Sequence, residues 1–241
     1  MKKQIIAMAL LLTVGSGAAM AQNCCEQKGN TEKKECGGSQ KSCSGEKSCG
    51  GEKACGGEKS CGQDKANALD VIMTRTSIRK FTDEKVKPCC VEKMLRAAMA
   101  APTAVNKQPW HFVVVDQKEA LDALAGQGRR GDMLRNAPLA IVVCGDMNKA
   151  LEGRGQEFWI QDTSAATENL LLAAHAMGLG AVWTAQWPDP DRYKQTQQAL
   201  SLPETIVPLC IVIIGHPAEQ PTPKDKWKPE NVSYNKYGGT K

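Results

Sequence analysis

Apolar positions divide the chain into three stretches of different character. Ile5 to Val14 is a short apolar run behind Lys2 and Lys3. From Gln22 to Lys65 there is no Val, Ile, Leu, Met, Phe, Trp or Tyr, so burial there cannot offset the entropy of ordering the backbone. From Ala66 onward apolar residues recur with helical and strand periods. Leu69, Ile72 and Met73 predict a helix that ends by Arg75. Pro88 suits a first helical position, and Val91, Met94, Leu95 and Ala98 form one apolar face behind it.

Trp110 to Val115 reads as a strand by its aromatic and β-branched content, and Leu139 to Cys144 as a buried one. Phe158 to Met177 predicts a long, alanine-rich helix capped by Gly178. Ala181 to Thr184 is a short strand, Asp189 to Leu200 a surface helix, and Val207 to Ile214 a strongly apolar strand. The tail after Pro217 is polar and Pro-rich. Strands separated by helices predict an α+β body with a mixed central sheet and helices on both faces. The expected organisation is a signal peptide over 1–21, a disordered Cys/Gly/Lys/Glu-rich segment over 22–65, and a globular domain over 66–241.

The charged start, the short apolar run and Ala19-Met20-Ala21 together form an export signal with cleavage before Gln22. Without a twin arginine, export of the unfolded chain to a periplasm is expected. No apolar run reaches the ~20 residues of a membrane span. The body carries 21 basic and 19 acidic residues, which leaves no footprint for nucleic acid or an anionic membrane surface.

Seven of the eleven cysteines lie in the second stretch, four of them in a six-residue repeat at Cys43, Cys49, Cys55 and Cys61. A solvated tether, soft-metal binding by thiolates, and disulfide chemistry all remain open there. Spacing wider than a zinc knuckle and the lack of histidine weaken the metal reading. In the body, Cys144 and Cys210 read as buried small hydrophobes and His175 as a satisfied core residue. Cys89-Cys90 starts a helix, where one thiol packs inward. No nucleophile–base or metal-ligand constellation stands out, so a cofactor is expected to carry any chemistry.

Two motifs are more particular. Arg75-Thr76-Ser77-Ile78-Arg79 sets two guanidinium forks around a hydroxyl, a donor set suited to phosphate. Ala101-Pro102-Thr103-Ala104-Val105-Asn106-Lys107-Gln108-Pro109-Trp110 carries a helix end through small residues into a strand, with the amides of Asn106 and Gln108 facing a planar ligand's heteroatoms. With Asp162 to Asn169, Gly178 to Thr184, Ile213 to Pro217 and Lys224-Asp225-Lys226 in order, the body resembles the FMN-dependent nitroreductase family. The 129–157 stretch shows little resemblance, and Phe158 and Trp159 line either a substrate pocket or the core.

The resemblance implies a nitroreductase-like fold, an intertwined homodimer, and FMN reduced by NAD(P)H and reoxidised by a nitroaromatic, quinone or similar small acceptor. It places Arg75, Thr76, Ser77 and Arg79 at the flavin phosphate and ribityl chain. Pro102, Thr103 and Ala104 would reach the partner's flavin, with Asn106 and Gln108 beside the ring. Trp183, Thr184 and Ala185 would pass near the reactive nitrogen. Lys224 and Lys226 would close the phosphate site, where the family has an arginine. No side chain is expected to act as a catalytic group and no metal to bind. The alternative is an exported metal-binding or thiol-redox protein whose cysteine-rich leader is the working part.

Overall fold

The computed structural model describes residues 67–241. The expected signal peptide and the cysteine-rich repeat lie outside the described residues. Four strands form the sheet: β1 (Trp110–Val115), β2 (Leu139–Asp146), β3 (Gly180–Ala185) and β4 (Ile206–Gly215). Their spatial order is β1-β2-β4-β3, and every neighbouring pair is antiparallel. Ser77 adds a parallel bridge to Ala181 on the outer side of β3, which makes the sheet mixed at that edge.

The central strands are apolar on both faces because both faces are covered. All of β2 is buried, and β4 is buried apart from Val207. On one face lie α2 (Pro88–Met99) and α5 (Phe158–Ala176), which bring Met94, Ala98, Ala166, Leu170 and Ala174 against Ile141, Val143 and Val212. On the other lie α3 (Lys118–Leu124), α4 (Arg129–Arg135) and α6 (Pro190–Ala199). Leu121, Leu124 and Leu134 pack there with Val142, Ile211 and Ile213. The alanines of α5 permit this close approach.

The C-terminus of α5 and the N-terminus of α6 follow local rules. The Gly178 N–H bonds the His175 carbonyl, the Leu179 N–H bonds the Ala174 carbonyl, and Gly178 takes φ +75°; this paired closure needs a left-handed residue. Asp189 caps α6 by accepting from the Asp191 and Arg192 N–H groups, with Pro190 at the first helical position. Helix α1 (Ala68–Thr74) forms where expected, yet Leu69, Ile72 and Met73 are exposed.

The connection from α1 to α2 fastens to the sheet margin. The Ile78 N–H bonds the Ala181 carbonyl at 3.1 Å, the Thr82 N–H bonds His216, and the Ala218 N–H bonds Lys80. Ile78 is buried and lies over Gly180, where an added Cβ would sit 2.7 Å from the Ile78 Cβ and Cγ2. Gly180→Ala is therefore expected to overpack this seam and cost about 1–3 kcal/mol. Urea denaturation checks this, and an unchanged midpoint would show that Ile78 lifts off β3 freely.

Candidate functional site

Arg75 stands where α1 ends, its backbone N–H bonded to the Val71 carbonyl. Its Nε pairs with Glu168 of α5 at 3.3 Å, which orients the guanidinium and leaves its terminal amino groups for an anion. Beside it, the Thr74 hydroxyl meets His175 Nε2 at 2.9 Å. Burial, and secondarily the Arg75 charge, hold the His175 imidazole below its ordinary pKa. Thr76 and Ser77 are half-buried and Arg79 is exposed. Arg79 Nη1 donates to the Ser77 carbonyl at 3.3 Å, and the Arg79 N–H donates to Glu219 Oε1 at 2.6 Å. Ser77, Arg79, Arg129, Asp132, Asn136 and Glu219 line an open hollow of about 630 Å³.

The loop after α2 is held from α5. The Ala104 N–H donates to Asp162 Oδ1 at 2.9 Å, and Asp162 is buried. Val105, Asn106 and Gln108 take φ of 44°, 57° and 50°. Asparagine tolerates this region, but a β-branched residue is strained there, at a cost of order 1–3 kcal/mol. Gln108 Nε2 donates to Asn106 Oδ1 at 2.9 Å, and the Gln108 N–H to Thr103 Oγ1 at 3.1 Å. Half of each amide is thus spent within the loop, leaving Asn106 Nδ2 to donate and Gln108 Oε1 to accept. Pro102, Thr103, Ala104, Phe158, Gln161 and Asp162 line a second hollow of about 410 Å³. Phe158 stands on its rim, while Trp159 is in the core.

The end of β3 offers backbone donors. The Gln186 N–H bonds Leu209 of β4, and antiparallel alternation turns Thr184 the same way and Trp183 and Ala185 to the outer edge. Pairing on that edge is the bridge at Ala181, so the N–H groups of Trp183 and Ala185 face outward beyond it. Thr184 Oγ1 donates to the Ile211 carbonyl at 2.8 Å. Lys224 and Lys226 lie on the exposed tail, and no hydrogen bond or ion pair among the described residues ties them to the Arg75–Arg79 segment.

Several polar residues here escaped the sequence reading. Arg129 lines the same hollow as Ser77 and Arg79. Arg130 bonds the buried Gln186, and burial, then Arg192, lowers its pKa against the opposing pull of Asp189. The Arg129-Arg130 doublet was the available signal. Cys144 and Cys210 are buried, and burial pushes Cys210 up to about 12 and Cys144 further. Cys89 is exposed and free, whereas Cys90 is buried and disulfide-bonded. Among the described residues, no group of three His, Cys, Asp or Glu side chains is placed to hold a metal ion, and no helix is long and apolar enough to cross a membrane.

The model of the nitroreductase family matches residues 72–129 and 125–216. The chain belongs to the nitroreductase family. A Methanothermobacter thermautotrophicus protein provisionally named NADH dehydrogenase/NAD(P)H nitroreductase is 41% identical over 172 residues, spanning 71% of this chain and 88% of its own. A crystal structure from Bacteroides thetaiotaomicron, with the same provisional name, is 41% identical with a TM-score of 0.66, covering 72% of this chain and 100% of its own. A provisionally named nitroreductase from Desulfovibrio desulfuricans, solved in complex with FMN, is 31% identical with a TM-score of 0.60, covering 70% and 96%. The nitroreductase match runs through 129–157, where sequence reading found little resemblance.

The depressed His175 pKa gives this nitroreductase a pH dependence. As pH falls, the unfolded chain takes up the proton first, near its ordinary value of about 6.5. Stability drops from there until the folded imidazole also protonates. His175→Gln is expected to remove this acid-side loss, as measured by urea midpoints between pH 5 and 8. An unchanged slope would exclude His175 as its source.

Proposed function

We propose that the body is an FMN-dependent oxidoreductase of the nitroreductase type, taking hydride from NAD(P)H and passing it to a nitroaromatic, quinone or similar small acceptor. One observation carries the reading: the Arg75–Arg79 segment and the outward N–H groups of β3 lie along one sheet margin, pinned by the Ile78–Ala181 bond. Forked guanidinium donors and the Ser77 hydroxyl suit a single phosphate. Backbone N–H groups further along the same margin suit the heteroatoms of a planar ring. The donor set therefore fits FMN, and the one G-x-G-x-x-G run, Gly126 to Gly131, follows helix α3 and not a strand, so it lacks the strand–turn–helix context of a dinucleotide's pyrophosphate site.

When bound, FMN supplies the hydride-accepting ring. The chain's own share is binding, orientation and charge stabilisation. Arg75, steadied by Glu168, would present its terminal amino groups to the phosphate, and Arg79 and Ser77 would contribute from the hollow they share with Arg129. Thr76 shapes the ribityl passage, and Lys226 with Lys224 closes the phosphate site. The N–H groups of Trp183 and Ala185 would face the ring where negative charge gathers, while Thr184 between them is turned to Ile211 of β4. The hollow beside Pro102, Thr103 and Ala104 differs from the one beside Arg79. We therefore assign those residues, with Asn106 and Gln108, to the site of a second copy, so that two chains complete each flavin site. The exposed Leu69, Ile72 and Met73 of α1 and the strained Val105 fit such an interface.

We further propose that the mature protein is exported to the periplasm and that the cysteine-rich segment is an appendage without a part in flavin chemistry. Deleting 22–65 is expected to leave FMN content and turnover with an artificial reductant unchanged. If the truncated protein keeps dye-driven turnover but loses reduction by a physiological donor, the leader is a redox relay and the appendage reading falls.

Arg75→Ala and Arg79→Ala are each expected to lose a charge-assisted contact of about 1.5–3 kcal/mol, or roughly ten- to a hundred-fold in FMN affinity. Fluorescence titration measures this, and wild-type affinity in both variants would overturn the phosphate assignment. An obligate interface buries on the order of 2,000 Å² or more, so sedimentation should find a flavin-loaded dimer. A flavin-loaded monomer would refute the shared site.

A further inference from the structure

A buried amide stands directly behind the ring-facing end of β3. Gln186 is 0% exposed. Its Oε1 accepts from Arg130 Nη1 at 2.9 Å and from Thr196 Oγ1 at 3.1 Å, while its Nε2 donates to the Thr184 carbonyl at 3.3 Å. Arg130 is itself steadied by Gln195 Oε1, 3.3 Å from its Nη2. A guanidinium only donates and a carbonyl only accepts. Arg130 on one side and Thr184 on the other therefore admit a single orientation of the amide. Three elements, α4, α6 and the end of β3, meet in this network.

The Thr184 carbonyl and the Ala185 N–H belong to one planar peptide and point opposite ways. The carbonyl faces β4, where Thr184 pairs with Ile211; the N–H faces the outer edge, and Ala185 is exposed. A side-chain donor on the carbonyl resists rotation of the peptide plane. It also polarises the peptide, which strengthens the N–H on its far side. A donor aimed before any ligand arrives stabilises developing negative charge without reorganising.

We propose that Gln186, oriented by Arg130, is a positioning residue that aims and polarises the Ala185 N–H toward the electron-accepting edge of the bound flavin, and so favours reduced over oxidised FMN. This rests on the placement of the flavin ring along the outer edge of β3. Gln186 touches neither ring nor substrate; its influence passes through one peptide group. No proton moves in this role.

Two substitutions separate the donor from the rest of the amide. Gln186→Glu keeps the acceptor toward Arg130 and replaces the Nε2 donor alone, and Gln186→Met removes both polar atoms without adding charge. The readouts are the midpoint potential of bound FMN, its dissociation constant in the oxidised form, and the melting temperature. Both variants are expected to lower the preference for reduced over oxidised FMN about tenfold, a fall of about 30 mV for a two-electron couple. Oxidised FMN should still bind within roughly threefold of wild type.

Arg130→Lys keeps a donor on Oε1 and should preserve the potential, whereas Arg130→Met should shift it in the same direction as Gln186→Met. Folded, flavin-loaded Gln186 variants with the wild-type potential would overturn the proposal. So would a shift confined to Gln186→Glu, which would come from the new carboxylate charge rather than the lost donor. If the Gln186 variants do not fold, Arg130→Met at the less buried position decides, and an unchanged potential there is equally fatal. A wild-type protein that binds no FMN would instead overturn the flavin assignment itself.

Discussion

A single short pairing on the outer side of β3 organises the functional margin of the molecule. The Ile78 N–H reaches the Ala181 carbonyl, and Gly180 has no side chain to hold Ile78 away. The same contact fixes how far the chain follows the sheet. Beyond Ala181 the Arg75–Arg79 segment does not accompany β3; the Arg79 N–H is taken by Glu219, and the next residues bond to His216 and Ala218 at the end of β4. A full strand here would have consumed the N–H groups of Trp183 and Ala185. A segment that pairs once and departs gives the cationic side chains a fixed address and leaves those donors exposed. Ordinarily an open strand edge is a liability; here it is confined to a few residues and flanked by basic groups.

The elements that could be read from sequence were those whose pattern matched a simple burial. The run Leu139 to Cys144 and the run Val207 to Ile214 are continuous apolar stretches because both their faces are covered. Alanine content and Gly178 marked α5 and its end, and Pro88 and Asp189 marked two starts. Helices α3 and α4 were not foreseen. Each has seven residues, and α4 carries Gly131, a poor helix former, as its third residue. Tertiary packing explains that glycine: an added Cβ would lie 1.9 Å from the Gly126 carbonyl oxygen. For α1, periodicity announced the helix correctly but did not say that Leu69, Ile72 and Met73 would face outward.

At the candidate site, residue type and local spacing went only part of the way. Two arginines around a serine suggest an anion whatever the fold, and small residues before a strand suggest close backbone approach. Which amide atoms remain available could not be read, because the pairing of Gln108 with Asn106 depends on left-handed backbone between them. The Glu168 partner of Arg75 lies 93 positions along the chain and on another helix. Arg130, Gln186 and Thr196 are further from any motif: three unremarkable polar residues from separate elements, joined only when α4 and α6 close over the sheet.

The two interior thiols bear on how long such a protein survives. With burial pushing Cys210 up to about 12 and Cys144 further, both side chains stay protonated at neutral pH. Attack on a disulfide, a peroxide or an electrophilic product needs the thiolate. Both sulfurs also sit within the central strands, with Cys210 Sγ 3.6 Å from the Thr167 hydroxyl. The framework therefore presents a thiol-reactive compound with little to alkylate, and among the described residues Cys89, on the first turn of α2, is the exposed free thiol that such damage would reach first.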